Sequence, residues 1–237
     1  MPHFKKNFLI LLLFLFLAPN VRSEETEVIL KPNTPISTEQ LATTHTIFDD
    51  KMLLEGYAKK YNQLPKEIIL EMIKDDTLNP FKSAAAVMVF SQKYAAEIFS
   101  KEKRGIEKIL LRRLNKTNSP FVDVEVMCAL CQLDRYRYFK SMVPALIQKL
   151  SHYNDTVNEN AFACLDSLTQ NGNGRTREAR IIFNMLRKTL FLSRKRLATT
   201  TNPDPKLKQK LKLLRWSTKI LGSQELNKLP KEIMHLL

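Results

Sequence analysis

Six positions of one stretch, Val122, Val126, Met127, Ala129, Leu130 and Leu133, recur as Val157, Ala161, Phe162, Cys164, Leu165 and Leu168, each 35 residues further on. Every pair is apolar or small. Their spacing within each copy is helical, so both stretches predict an amphipathic helix that buries the same face. Across the preceding turn Leu114 pairs with Leu150 at an offset of 36, which takes one extra residue in the loop. A unit of this length holds two helices and a turn. Such a hairpin cannot bury its apolar face alone, so its neighbours have to stack on it.

The rest of the chain agrees with an all-α class. Gly is scarce at 5 residues, while Leu, Lys, Ala and Glu run on in long stretches with little turn punctuation. A hydrophobic content of 44% is ample for a buried core. Ser37 and Gln40 have the spacing of a capping box, and Leu41, Ile47, Phe48, Met52, Leu53 and Tyr57 extend a helix to about Tyr61. Pro65, Pro80, Pro120, Asp155 and Pro203 mark further starts, with others near Ser141 and Arg175 and a basic helix from about Lys103 to Leu114. Weaker copies of the repeat flank the clear pair. Leu70 and Ile73 with Phe81, Ala85 and Val89 lie upstream, and Leu186 and Leu190 with Leu207, Leu211 and Leu214 lie downstream across a longer insertion.

The stretch Val143-Pro144-Ala145-Leu146 to Leu150, then Asp155, Val157, Ala161, Cys164-Leu165 and Leu168, resembles the HEAT repeat. That family places Pro and Leu on the first helix, Asp at the turn, and Val, Ala, Ala-Leu and Leu on the second. The resemblance covers roughly residues 64–221 and implies an α-α superhelix of stacked helical hairpins, a binding scaffold more often than a catalyst. Asn158 stands where the family usually has Arg, and Cys164 where it has Ala. The first departure removes the Arg that the family's Asp-to-Arg ladder uses.

The N-terminus carries an address. Lys5 and Lys6 precede an unbroken apolar run from Phe8 to Ala18, Pro19 and Asn20 end it, and Val21-Arg22-Ser23 suits a cleavage site. The run is short for a permanent span. Residues 1–23 are therefore expected to be a signal peptide, 24–36 a flexible leader containing Pro32 and Pro35, and 37–237 the HEAT-like domain of an exported protein, periplasmic or secreted. An uncleaved anchor is the alternative.

No catalytic constellation emerges. Cys128, Cys131 and Cys164 make an odd count without a paired framework, so at least one thiol stays free or pairs between chains. Cys128-Ala-Leu-Cys131 has redox-motif spacing, yet it falls in mid-helix, where a dipole-lowered thiol pKa is not expected. Both residues are predicted to be ordinary, slow thiols. His45, His152 and His235 are far apart and suggest no metal site, and no cofactor motif is present. Asp49-Asp50 and Asp75-Asp76 read as helix-end or loop charges. Some HEAT-like proteins are DNA glycosylases, but no residues here match their catalytic set, and an export signal argues against a genomic substrate. Nucleic acid is not the expected partner.

Charge supplies the candidate site. The formal net charge is +14, and Arg175 to Arg215 carries 13 basic residues against only Glu178 and Asp204. Within it, Arg194, Lys195 and Arg196 follow Phe191-Leu192, and Lys206, Lys208, Lys210, Lys212 and Arg215 are woven through Leu207, Leu211, Leu213, Leu214 and Trp216. Those nine residues, Arg194 to Arg196, the four lysines, Arg215 and Trp216, are the expected contact set for an acidic partner or an anionic membrane surface. A solvated face whose lysine stems shield apolar surface is the competing account. The leading expectation is a non-catalytic scaffold or adaptor that holds a protein partner; a peripheral membrane protein is the second, and a HEAT-like DNA-repair glycosylase the third.

Overall fold

In a computed structural model of the chain, the described residues are 50–170, 175–199 and 201–237, all within one unit, Phe48–Leu237. The expected signal peptide, the leader, the Ser37 capping box and His45 lie outside them. Every regular element among the described residues is helical. In chain order these are α1 (Asp50–Tyr61), α2 (Lys66–Lys74), α3 (Pro80–Val89), α4 (Ser100–Lys116), α5 (Pro120–Leu133), α6 (Arg135–Lys149) and α7 (Asp155–Gln170). There follow α8 (Thr176–Leu192), α9 (Arg194–Leu197), α10 (Pro205–Leu221), α11 (Ser223–Leu226) and α12 (Lys231–Met234). A π-helical turn, Phe90–Tyr94, and a 3-10 turn, Ala95–Glu97, continue α3.

Local chemistry sets most of the starts. Asn79 accepts a 2.9 Å bond from the Phe81 N–H with Pro80 in the first turn, and Asp204 accepts a 2.7 Å bond from the Leu207 N–H ahead of Pro205. Asn154 accepts from the Val157 N–H at the head of α7. At α6 the expected start near Ser141 is too late. Asp134 accepts a 3.0 Å bond from the Arg137 N–H and opens the helix at Arg135, so Pro144 sits inside it. Gly222, at φ +91°, ends α10 in a conformation that β-carbon sterics deny other residues.

Packing arranges these helices as successive hairpins. α2 pairs with α3, α4 with α5, α6 with α7, and α8 with α10 across the short α9 insertion. The second helices also pack in sequence, α3 on α5, α5 on α7 and α7 on α10, while α2 meets α4 and α6 meets α8 among the first helices. α1 packs along α3, and its first turn reaches α7, where Asn154 donates to Asp50 at 2.6 Å and Lys51 pairs with Glu159 at 2.9 Å. On α1 the side chain that is fully buried is Leu54, whereas Met52 and Leu53, expected on the apolar face, are exposed. Leu130 and Leu165, equivalent in the two clearest repeats, are both 0% exposed.

Ion pairs link one hairpin to the next through the first helices. Lys66 of α2 meets Glu102 of α4 at 2.7 Å, and Lys103 of α4 meets Asp134 at 2.7 Å. Arg137 of α6 reaches back to Glu107 of α4 at 2.9 Å, and Arg135 grips Glu178 of α8 with two guanidinium nitrogens, Nε at 2.9 Å. Asn158 does something else. Its side chain is buried and donates a 2.6 Å bond to the Leu150 carbonyl, closing the turn between α6 and α7 within one hairpin.

Candidate functional site

The basic segment Arg175 to Arg215 does not form one continuous face. It splits into α8, the α9 corner and α10, and these meet different neighbours. On α10 the apolar side is already covered, because Leu207, Leu211, Leu213 and Leu214 are buried and Trp216 is half-buried against the same core. Four of its cations turn to partners inside the protein. Lys206 pairs with Asp155 at 2.9 Å and donates to the His152 carbonyl, and Lys210 donates to Ser151 Oγ at 2.7 Å. Burial pulls the Lys210 ammonium below the usual lysine range, partly offset by Asp204. Lys212 pairs with Asp166 at 2.8 Å and lies over the Phe162 ring, while Arg215 donates to the Leu236 and Leu237 carbonyls. Lys208 is exposed and makes no ion pair with a described residue.

The other three predicted residues, Arg194, Lys195 and Arg196, stand on α9, which packs against α12. Here the structure opens a groove of about 830 Å³, lined by residues from the end of α8, from α9 and from the turn before α12. Its apolar part is Phe191, Leu192, Leu229 and Pro230; its cations are Arg187, Lys188, Arg194 and Lys228; its one acid is Glu232. Phe191 is 47% exposed and Leu192 is 82% exposed, an unusual adjacent pair for two large apolar side chains. The Arg194 guanidinium lies 4.1 Å from the centre of the Phe191 ring. Lys228 is engaged with Glu225 at 2.9 Å, whereas Arg187, Lys188 and Arg194 make no ion pair with any described residue. Arg187, Lys188 and Lys228 were outside the expected contact set. The available signal was Arg187-Lys188 followed by Phe191-Leu192 at a helix end, which periodicity places beside the basic corner.

A smaller groove of about 420 Å³ lies where α6 and α8 begin, among Arg135, Tyr136, Lys140, Arg175 and Arg177. Two of its cations are already committed, since Arg135 and Arg175 both bind Glu178. Burial pushes the Glu178 carboxyl up, and the bonds from these two arginines outweigh it and hold the group below the usual carboxylate range. At the other end, Asp76 gathers Lys116 and Arg112 at 2.7 and 2.8 Å with Arg113 beside them, and those bonds bring its carboxyl down to about 2. It acts as an ion-pair hub between α2 and α4, a fuller role than a loop charge.

The cysteines need a correction. Cys128 is joined to Cys164 by a disulfide between α5 and α7, with Cα atoms 5.8 Å apart, so it is not the free thiol expected from the sequence. The repeat accounts for the pairing: the two residues are 36 apart, one more than the 35-residue offset that matches Cys164 to Ala129, and α7 packs alongside α5. Cys131 remains a thiol. It is buried in the core, and burial pushes it up to about 12, which keeps it protonated and unreactive.

Among the described residues no group of three or more His, Cys, Asp and Glu side chains is placed to hold a metal ion, and no helix is long and apolar enough to cross a membrane. Comparison of the chain with protein-family models, with curated proteins and with solved structures gives no match.

Proposed function

We propose that this chain is a non-catalytic binding scaffold of HEAT-like, superhelical build that works in an extracytoplasmic compartment and holds a protein partner on its repeat surface. The observation that carries the reading is the succession of hairpins whose equivalent positions, Leu130 and Leu165 among them, are buried alike. Stacks of this kind offer extended faces to a partner. The two groups whose acidity is most strongly weakened by burial, Glu125 and Cys131, are sealed in the core. The Cys128–Cys164 disulfide suits an oxidising compartment and so supports export, beside the Lys5, Lys6 and Phe8 to Ala18 pattern.

The test has two parts. N-terminal sequencing of the protein recovered from cells should begin at or near Glu24; an intact Met1 on protein from the cytoplasm overturns export. Photo-crosslinkers placed at the exposed positions Ala163 of α7 and Asn184 of α8 should trap one discrete extracytoplasmic protein. Recovery of uncrosslinked chain alone from both positions overturns the scaffold reading.

A second reading, attachment to an anionic membrane surface through the basic segment, is favoured by the exposed Phe191-Leu192 pair among unpaired cations.

A further inference from the structure

We infer that the corner formed by the end of α8, α9 and the turn before α12 is an interfacial anchor that meets an anionic lipid bilayer, with Phe191 and Leu192 entering the head-group boundary. This inference rests on the membrane reading above and locates it. Of the nine residues expected from the sequence, Arg194, Lys195 and Arg196 stand on α9 and the other six on α10, whose apolar residues lie in the core and whose Lys206, Lys210, Lys212 and Arg215 bind atoms of this same chain. A helix in that position cannot lay its apolar face on a membrane without first leaving α7 and α8.

The α8–α9 corner has the reverse arrangement. Two large apolar side chains stand out together at a helix end, where neither contributes to a buried core. Arg187 and Lys188 flank them one turn back on α8, and Arg194 and Lys195 follow on α9. None of these four makes an ion pair with a described residue, and Arg194 stacks on the Phe191 ring, which keeps its charge at the level of the apolar pair. Lys231, at the head of α12, adds a further exposed cation nearby, against the single acid Glu232. A ring of cations around a protruding apolar tip matches a bilayer surface, where phosphates lie at one depth and acyl chains just below it. An acidic polypeptide would use the charges alone, whereas acyl chains lying just below the phosphates would also take up the apolar pair, of which Leu192 is 82% exposed.

The experiment uses the full chain and two kinds of vesicle, phosphatidylcholine alone and phosphatidylcholine mixed with phosphatidylglycerol, with sedimentation as the readout. The preference for anionic over neutral vesicles measures the electrostatic part of binding, and the variants locate it on the surface. Wild-type protein should show a strong, salt-sensitive preference. Lys188→Gln together with Arg194→Gln should lower affinity for the anionic vesicles by roughly twenty-five-fold, from about fivefold for each cation. Leu192→Ser should lower it by roughly tenfold at the same charge. Being almost fully exposed, Leu192 can be changed without loss of the fold, and the thermal midpoint should not move. Lys208→Gln with Lys219→Gln, both exposed on α10, should have the smaller effect. If wild-type protein prefers anionic vesicles but the α10 changes abolish that preference while Leu192→Ser leaves it intact, the membrane reading stands and this corner is the wrong place. If the wild type shows no preference, or binds soluble polyglutamate in its stead, both fail.

Discussion

Asn160 donates a 3.0 Å hydrogen bond to Glu125 Oε1, and the two residues hold the same position in consecutive repeats, 35 residues apart. The contact joins α7 to α5 inside the stack, where Glu125 is buried. Burial pushes its carboxyl up to about 8, and the bond from Asn160 reverses only part of that rise.

A pH dependence of known sign follows. The folded state keeps this proton to about pH 8, whereas the unfolded chain releases it near 4.5. The stability it contributes is therefore fully present below about pH 4.5 and is lost as pH rises towards 8, then stays level. Glu125→Gln retains an acceptor for Asn160 and carries no charge. In urea melts across this range the variant should gain on wild type, by an upper bound of about 5 kcal/mol at the alkaline end. Parallel profiles for the two proteins would mean that the carboxyl is hydrated.

Removing the disulfide should be costly. It closes a long loop, with the two cysteines 36 residues apart, and joins two helices of the core. Cys128→Ala with Cys164→Ala should lose about 3 to 4 kcal/mol in the chain-entropy account. Non-reducing peptide mapping should recover Cys128 linked to Cys164, and Cys131 should resist alkylation until the protein unfolds. Fast labelling of Cys131 in native protein would contradict its burial.

Leu130→Ala and Leu165→Ala should each cost about 2 to 5 kcal/mol, since both leave a cavity between packed helices. Equal effects, read as shifts in the urea midpoint, are expected from equivalent positions. A change within roughly 0.5 kcal/mol at either site would place that side chain on the surface.

Arg135→Ala should cost about 3 kcal/mol, because it strips Glu178 of a bidentate partner while the carboxylate stays buried. Arg135→Ala combined with Glu178→Gln should recover much of the loss. A double variant as unstable as the single one would show that the guanidinium acts chiefly through packing on the Phe139 ring, 5.4 Å away.

Signals local to the chain were enough for the helical class, most of the helix starts and the repeated core face. These depend on neighbours in the chain: Asn79 with Pro80 is a complete stop-and-start signal, and Leu130 and Leu165 follow from periodicity alone, whereas α10 opens at Pro205, capped by Asp204, two residues after the expected Pro203. Where a side chain's local signal was misleading, the helix moved, as when Asp134 opened α6 ahead of Pro144. Packing between helices chose which partner each polar or sulfur group took. Cys128 had Cys131 one turn away, but both lie on the same helix, and stacking brought Cys164 across to it from α7. The lysines of α10 looked like a solvent-facing charge run, yet acceptors on α7 and its preceding turn came within reach when α10 settled beside them. The exposed corner at Phe191 and Leu192 was likewise set by packing. A helical period tells which residues share a face, and only the neighbouring helices determine whether that face is covered.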